Sequence, residues 1–298
     1  MKKISVIMSI YQESNSVLQE AIDSILKQTF SDFEFIIVID DPNNKLGKEL
    51  IEDYRKKDNR IITIFNQKNE GLVFSLNEAL EVASGEYIAR MDADDISNKN
   101  RLEKQLEYMT QNKLDICGSN YVWFKEDIVL RTINNPTKAN NVKKMLKKTN
   151  CVSHPTWMVR KTVFDKLKGY RNIKSCEDYD FLLRATKHGY RIGNCPEILL
   201  KYRISDKGIS QNNLSNQLLI TYFLRHNIQK IDEFSEEDIN NILMDPKYAG
   251  TKNRFTKYFE LKKEMKEGKS IALILKCFLF IDLIAHDMYL NTYRKILK

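Results

Sequence analysis

The stretch Tyr87-Ile88-Ala89-Arg90-Met91-Asp92-Ala93-Asp94-Asp95 decides the fold. Apolar residues lead into three carboxylates within four positions. That pattern reads as a buried strand whose exit points acid at solvent. Carboxylates crowded this closely repel unless a positive group sits among them. A hard divalent cation is the usual answer, and a phosphate group often rides on such a cation. The alternative is a solvated acidic turn ahead of a helix, where Asp is common.

Outward from this stretch the first half alternates strand and helix signals. Ile4 to Ile10, Phe33 to Ile39, Arg60 to Phe65 and Glu86 to Met91 read as apolar strands. Between them, Val17, Leu18, Ala21, Ile22, Ile25 and Leu26 recur at helical spacing. Leu46 to Lys57 has helical composition, and a further helix carries Leu72, Leu76, Ala79 and Leu80. Strands separated by such helices predict an α/β fold with a mostly parallel central sheet flanked by helices. Ligands of such sheets sit beyond the carboxyl ends of the strands. Asp41 and the Asp92-Asp94 pair fall at two such ends.

Beyond Arg101 a helix runs to about Gln111, and Asp115 to Phe124 reads as a strand. The region from Arg131 to Lys201 is more irregular. It holds a lysine-rich helix with Lys138, Lys143, Lys144, Lys147 and Lys148, read as a solvated face or as a surface for an anionic lipid or substrate. His154 to Arg160 reads as an extended segment between turns. Cys176-Glu177-Asp178-Tyr179-Asp180 opens a helix, and acids at a helix start are locally favourable. From about Asn212 the chain becomes helical and charged. Seven basic residues between Lys252 and Lys269 precede the apolar run Ile271 to Ala285. That run falls short of a membrane span. It suits a helix at an anionic membrane surface, or one packed on the core or across a homodimer interface.

Composition narrows the classes. With 298 residues, 42% of them hydrophobic, the chain can build a substantial core. A net charge of +8 is modest for a nucleic-acid binder, and no zinc-finger spacing or basic repeat appears, so nucleic acid is not expected as a partner. The five cysteines match no metal cluster or disulfide framework. The N-terminal apolar stretch is too short for a secretory signal. Reduced thiols in a cytoplasmic protein, peripheral at the inner face of the cell membrane, are the expectation.

Several motifs in register resemble family 2 glycosyltransferases of the GT-A fold, whose bacterial members build capsule and O-antigen. They are Ile4 to Glu13, Ala21 to Phe30, Phe33 to Asp41, Asn69-Glu70-Gly71-Leu72, Ala83 to Asp95, His154-Pro155-Thr156 and Glu177 to Asp180. Together they span roughly residues 4 to 205. The resemblance implies a catalytic domain over 1–211, with a nucleotide-sugar-binding half (1–111) and an acceptor half (112–211), followed by a helical region, 212–298. It implies that Asp92-Ala93-Asp94 is the DxD motif. Asp94 would bind Mn2+ or Mg2+ through the diphosphate, and Asp92 would lie near the ribose. Asp41 would read the base and Tyr11 would line its pocket. Asp178 would be the catalytic base of an inverting reaction. The expected donor is a nucleoside diphosphate sugar, a UDP-sugar in particular, and the expected acceptor a lipid-linked saccharide. One departure is Pro42-Asn43, where many members have Gly-Ser.

Glu177, Trp157 and His154 are candidates for the acceptor site. Trp157 could instead be core, His154 could fix a turn, and Glu177 could cap the helix. Arg184 is expected to pair with an acid or reach a phosphate, and Cys176 to be a small buried thiol. Two other functions fit a carboxylate cluster: a metal-dependent nucleotidyltransferase, and a non-catalytic protein that binds sugar nucleotides or carbohydrate. The first would normally want a Gly-rich basic loop where the chain has Tyr11-Gln12-Glu13. The second would predict loss of the metal or base carboxylate, and both are present.

Overall fold

The computed structural model describes residues 2–204 and 214–266. The chain begins β1 (Ile4–Ile10), α1 (Asn15–Leu26), β2 (Phe33–Ile39), α2 (Lys45–Lys57), β3 (Ile61–Phe65), α3 (Leu72–Val82) and β4 (Tyr87–Asp92). Each strand here is an apolar run, because both faces of a parallel sheet are covered. β1 is bracketed by β2 and β4, all parallel, with β3 outside β2. In α1 the buried residues are Leu18, Ala21, Ile22 and Ile25, one stripe at helical spacing.

The second half comprises β5 (Ile96–Ser97), α4 (Arg101–Asn112), β6 (Ile116–Lys125), β7 (Ile128–Ile133), α5 (Ala139–Leu146), β8 (Met158–Arg160), α6 (Lys161–Leu167), α7 (Glu177–Lys187) and β9 (Ile192–Arg203). Here the sheet is mixed. β8 runs antiparallel to both β4 and β6, β6 is parallel to β9, and β5 closes the far edge against β9. Among the described residues the nine strands form one sheet, ordered β3-β2-β1-β4-β8-β6-β9-β5, with β7 paired to β6. The region read as irregular therefore holds the end of β7, all of β8 and most of β9. β7 is exposed over all but its last residue, so it lacks alternation. β9 loses its pattern at Pro196 and Glu197, where its register against β6 shifts.

The lysines of the basic segment are all exposed, while Val142, Met145 and Leu146 of α5 are buried. After the sheet come α8 (Leu214–His226), α9 (Glu236–Asn241) and α10 (Pro246–Lys266). Leu219, Phe223, Ile239 and Phe255 join the same apolar cluster as Trp157 and Phe181, so these helices share the core of the sheet. No described helix is long and apolar enough to cross a membrane. The apolar run Ile271 to Ala285 lies outside the described residues. Cys117, Cys151, Cys176 and Cys195 are free and buried.

β1 and β4 approach closely where Gly85 enters β4. A Cβ at Gly85 would stand 2.5 Å from the Ser5 backbone nitrogen and 2.7 Å from the Ile4 carbonyl carbon. Backbone cannot yield as a side-chain tip can. Gly85→Ala should therefore destabilise the fold by about 1–3 kcal/mol, as overpacking typically does, and lower the melting temperature by roughly 5 °C. An unchanged melting curve by circular dichroism would contradict the close approach.

Candidate active site

The order β3-β2-β1-β4 creates a switch point. From β1 the chain builds outward through β2 and β3, then crosses to β4 on the other side. Ligands of open α/β sheets bind in the crevice at such a point. Tyr11, Gln12 and Glu13 follow β1, Asp40 and Asp41 follow β2, and Asp92, Asp94 and Asp95 end or follow β4.

The three β4 carboxylates offer oxygens that lie within 4.8 Å of one another. Asp92 pairs with the guanidinium of Arg90. Asp95 is fully buried. Its Oδ1 accepts the Arg203 amide at 2.8 Å, and its Oδ2 has no hydrogen-bond partner. Arg203 also donates from Nε to the Asp94 carbonyl at 2.7 Å, which fastens the acidic turn to the end of β9. Burial pushes the Asp94 carboxyl up to about 6, helped by the charges of Asp92 and Glu13. Glu13 is raised too, by burial first and by Asp92 among other causes, although it accepts the Tyr11 amide at 2.8 Å. An all-carboxylate cluster with an orphaned buried oxygen fits a hard, oxygen-seeking cation such as Mg2+ or Mn2+.

The neighbouring acids divide between two tasks. Asp40 is buried, accepting Asn66 Nδ2 at 2.7 Å and the amides of Glu70 and Gly71 at 2.9 and 2.8 Å. It holds the turn into α3, where Gly71 has φ 90°, a conformation that favours glycine. Asp41 is half-buried and faces the β1 exit, where its Oδ2 accepts Gln12 Nε2 at 3.3 Å. Tyr11 is 42% exposed beside it, and Asn44 Nδ2 donates to the Tyr11 carbonyl at 3.1 Å. Pro42 lies beyond the last ladder residue of β2, so the ring removes no sheet hydrogen bond. The departure from Gly-Ser reshapes the loop alone.

Glu177 and Asp178 open α7, with Cys176 at the cap position. Asp178 accepts the Tyr179 amide at 2.6 Å and Asn150 Nδ2 at 2.7 Å. Burial pushes Asp178 up to about 6 and Glu177 up to about 7, the latter helped by the charge of Asp178. His154 is buried. Its Nε2 shares a 2.9 Å hydrogen bond with the Tyr170 hydroxyl, and its Nδ1 lies 4.0 Å from Glu177. Burial holds its pKa well below the usual histidine range, so the ring is neutral.

Of the two readings for Trp157, the structure favours the core. It is fully buried, donates to the Val152 carbonyl at 2.9 Å, and packs against His154, Tyr170 and Phe181. No face is open to a sugar, so it belongs to the floor beneath the site. Arg184 pairs with the buried Asp180 at 2.9 Å, which is the structural role. Burial raises the Cys176 thiol, as a core thiol requires.

Three residues here were not singled out from sequence. Arg90 sits two positions before Asp92, on the same face of β4, and that alternation was the available signal. Glu13 follows β1 at the switch point, a position that topology marks. Asn150 reaches Asp178 from 28 residues away, and nothing local announces it.

The model of glycosyl transferase family 2 matches residues 5–168, more than half of the chain. The chain belongs to this family. An uncharacterised glycosyltransferase of Methanocaldococcus jannaschii is 39% identical over 224 residues, covering 74% of this chain and 77% of the relative. The O-antigen biosynthesis glycosyltransferase WbnJ of Escherichia coli is 37% identical over 231 residues, covering 76% and 89%. Among solved structures, S. aureus TarS in complex with UDP-GlcNAc superposes with a TM-score of 0.64 at 21% identity, over 81% of this chain and 70% of that one. The mannosyltransferase PcManGT of Pyrobaculum calidifontis, in complex with GDP-Man and Mn2+, gives a TM-score of 0.60 at 13% identity, over 99% and 84%. At these identities the two structures speak for the fold.

The raised Asp178 carboxyl has a stability consequence. Its folded pKa of about 6 stands above the usual carboxyl range, so ionisation is disfavoured in the folded state. The stability present below pH 4 is lost as pH rises through 6. Asp178→Asn removes that loss. Its melting temperature should exceed wild type at pH 8, by an amount that shrinks as pH falls toward 4. Thermal melts across this range check the sign.

Proposed function

We propose that this chain is an inverting glycosyltransferase. It moves a sugar from a nucleoside diphosphate sugar, a UDP-sugar, to a hydroxyl of a lipid-linked saccharide in capsule or O-antigen synthesis. The observation that carries the reading is the presence of two acidic groups close enough for their charges to act on one another: Asp92, Asp94 and Asp95 at the β4 exit, and Glu177 and Asp178 at the start of α7. A transferase needs one set for a diphosphate and another for an incoming hydroxyl. Membership of family 2 and the similarity to WbnJ support the class.

In this reading Asp41 and Tyr11 hold the nucleoside, and Asp92 lies near its ribose. Asp94, assisted by its neighbours, would hold Mn2+ or Mg2+, which when bound would neutralise charge on the departing diphosphate. Asp178 takes the proton of the acceptor hydroxyl as its oxygen bonds to the anomeric carbon. The bond from that carbon to the phosphate oxygen breaks, and its electron pair leaves with the nucleoside diphosphate. A single displacement inverts the carbon. Glu177 orients the acceptor side, with His154 neutral beneath it. A base must be ionised, so turnover should climb as pH rises through about 6 to 7, the range of Asp178 and Glu177.

A screen of UDP-, GDP- and dTDP-sugars with and without Mn2+ tests the donor. Metal-dependent binding is expected for a UDP-sugar and is expected to be mostly lost in Asp94→Asn, with the fold intact. Equal binding by that variant rejects Asp94 as the ligand.

Asp178→Asn should lower turnover by about 10²–10⁴, as removal of a general base typically does, while sparing donor affinity. Normal turnover would remove Asp178 from its role. NMR of the product decides the stereochemistry, and a retained configuration would rule out the single displacement.

A further inference from the structure

We propose that Arg90 is a positioning residue that ties the two acidic groups of the site together. The inference rests on the glycosyl-transfer reading above. Arg90 leaves the same face of β4 as Ile88 and Asp92. Ile88 packs in the apolar cluster that also holds Trp157, Tyr170 and Tyr179, the cluster beneath α7. The guanidinium is thus directed between the β4 exit and the start of α7.

Its bonding is incomplete. Arg90 is only 4% exposed. One terminal nitrogen pairs with Asp92. Its Nε and its other terminal nitrogen are buried with no hydrogen-bond partner among the described residues. Buried donors are seldom left without partners, and a charged one costs more than a neutral one. The charges around the group explain why it is held there. Asp92 and Asp95 face it from the end of β4, and Glu177 and Asp178 from α7. His154 and Tyr170 are its polar neighbours on the floor, and Arg101 is the nearby like charge.

Two effects follow from one side chain. The pair with Asp92 fixes how that carboxylate presents itself to a cation, as partners behind a metal ligand do. The same positive charge opposes the burial that drives Glu177 and Asp178 toward their protonated forms. Arg90 thereby keeps the cation side and the hydroxyl side competent together. Lysine would preserve the charge but not the planar fork.

The test uses the full chain with Arg90→Met and Arg90→Lys, each checked for folding by circular dichroism. Mn2+ alone is titrated first, by electron paramagnetic resonance. Arg90→Met should weaken Mn2+ binding about tenfold or more, and Arg90→Lys should recover part of it. Next, kcat is measured for transfer or hydrolysis of the UDP-sugar selected above. Arg90→Met should lose about 100-fold on its own, comparable to removing a preorganised donor. In the Asp178→Asn background it should cost much less, because two residues acting as a unit do not add. Wild-type Mn2+ affinity and kcat in folded Arg90→Met would overturn the proposal. With Mn2+ saturating, losses that multiply in full would overturn it too, because Arg90 would then act independently of Asp178. If Arg90→Met does not fold, Arg90→Lys decides: affinity and kcat equal to wild type refute the need for the fork. A wild-type chain that binds no Mn2+ refutes the metal reading instead, and the kcat cycle then judges Arg90 by itself.

Discussion

A strand that ends in three carboxylates has to be held by something that does not flee from them. Here the hold is a buried guanidinium network behind the acids. Arg101, fully buried in α4, donates to the carbonyl of Arg90 at 2.7 Å, to that of Trp157 at 3.2 Å and to Gln105 at 2.9 Å. Gln105 in turn donates to the Thr156 carbonyl at 2.8 Å. One helix thereby stitches the main chain of β4 to the turn that leads into β8. Burial lowers Arg101 to about 10, and Arg90 adds to the effect, which still leaves it charged at neutral pH. A buried cation is costly unless anions face it. The Asp92–Asp95 turn supplies them, so the acids and the framework that displays them stabilise each other.

That reciprocity bears on what the sequence discloses. The first four strands were legible because a doubly covered parallel strand is a plain apolar run, and the helices between them carry one clear stripe. β6 was read as a strand and β8 lies within the extended segment His154 to Arg160, but β7 and β9 were not legible. β7 is an exposed edge, and β9 is interrupted by Pro196. The acids of the site were legible because charge at the end of an apolar strand is rare. Trp157 was ambiguous because an indole suits a core and a sugar platform equally, and only its neighbours decide. Arg90 was overlooked because one basic residue inside a strand looks like an exposed alternation, whereas here it is internal and paired. Asn150 depends on a long-range contact that no local pattern encodes.

The helix that bears Glu177 and Asp178 has its own anchor. Asp180, one turn in, is fully buried and binds both Arg171 and Arg184. Arg171 continues to the carbonyls of Ile231 and Phe234, at 3.2 and 2.7 Å. The start of α7 is therefore tied to the region after the sheet through one arginine. The C-terminal helices are part of what sets the acid pair, whatever else they contact.

The separation of labour between Asp40 and Asp41 has an engineering consequence. Asp40 carries the mechanical load of the α3 turn, and Asp41 carries none of it. The segment from Asp41 to Asn44 forms no rung of the sheet. In the proposed reading this is where the nucleoside is recognised. Donor choice then resides in a short exchangeable turn, and a designer could graft turns from relatives that use other nucleotides without redesigning the scaffold.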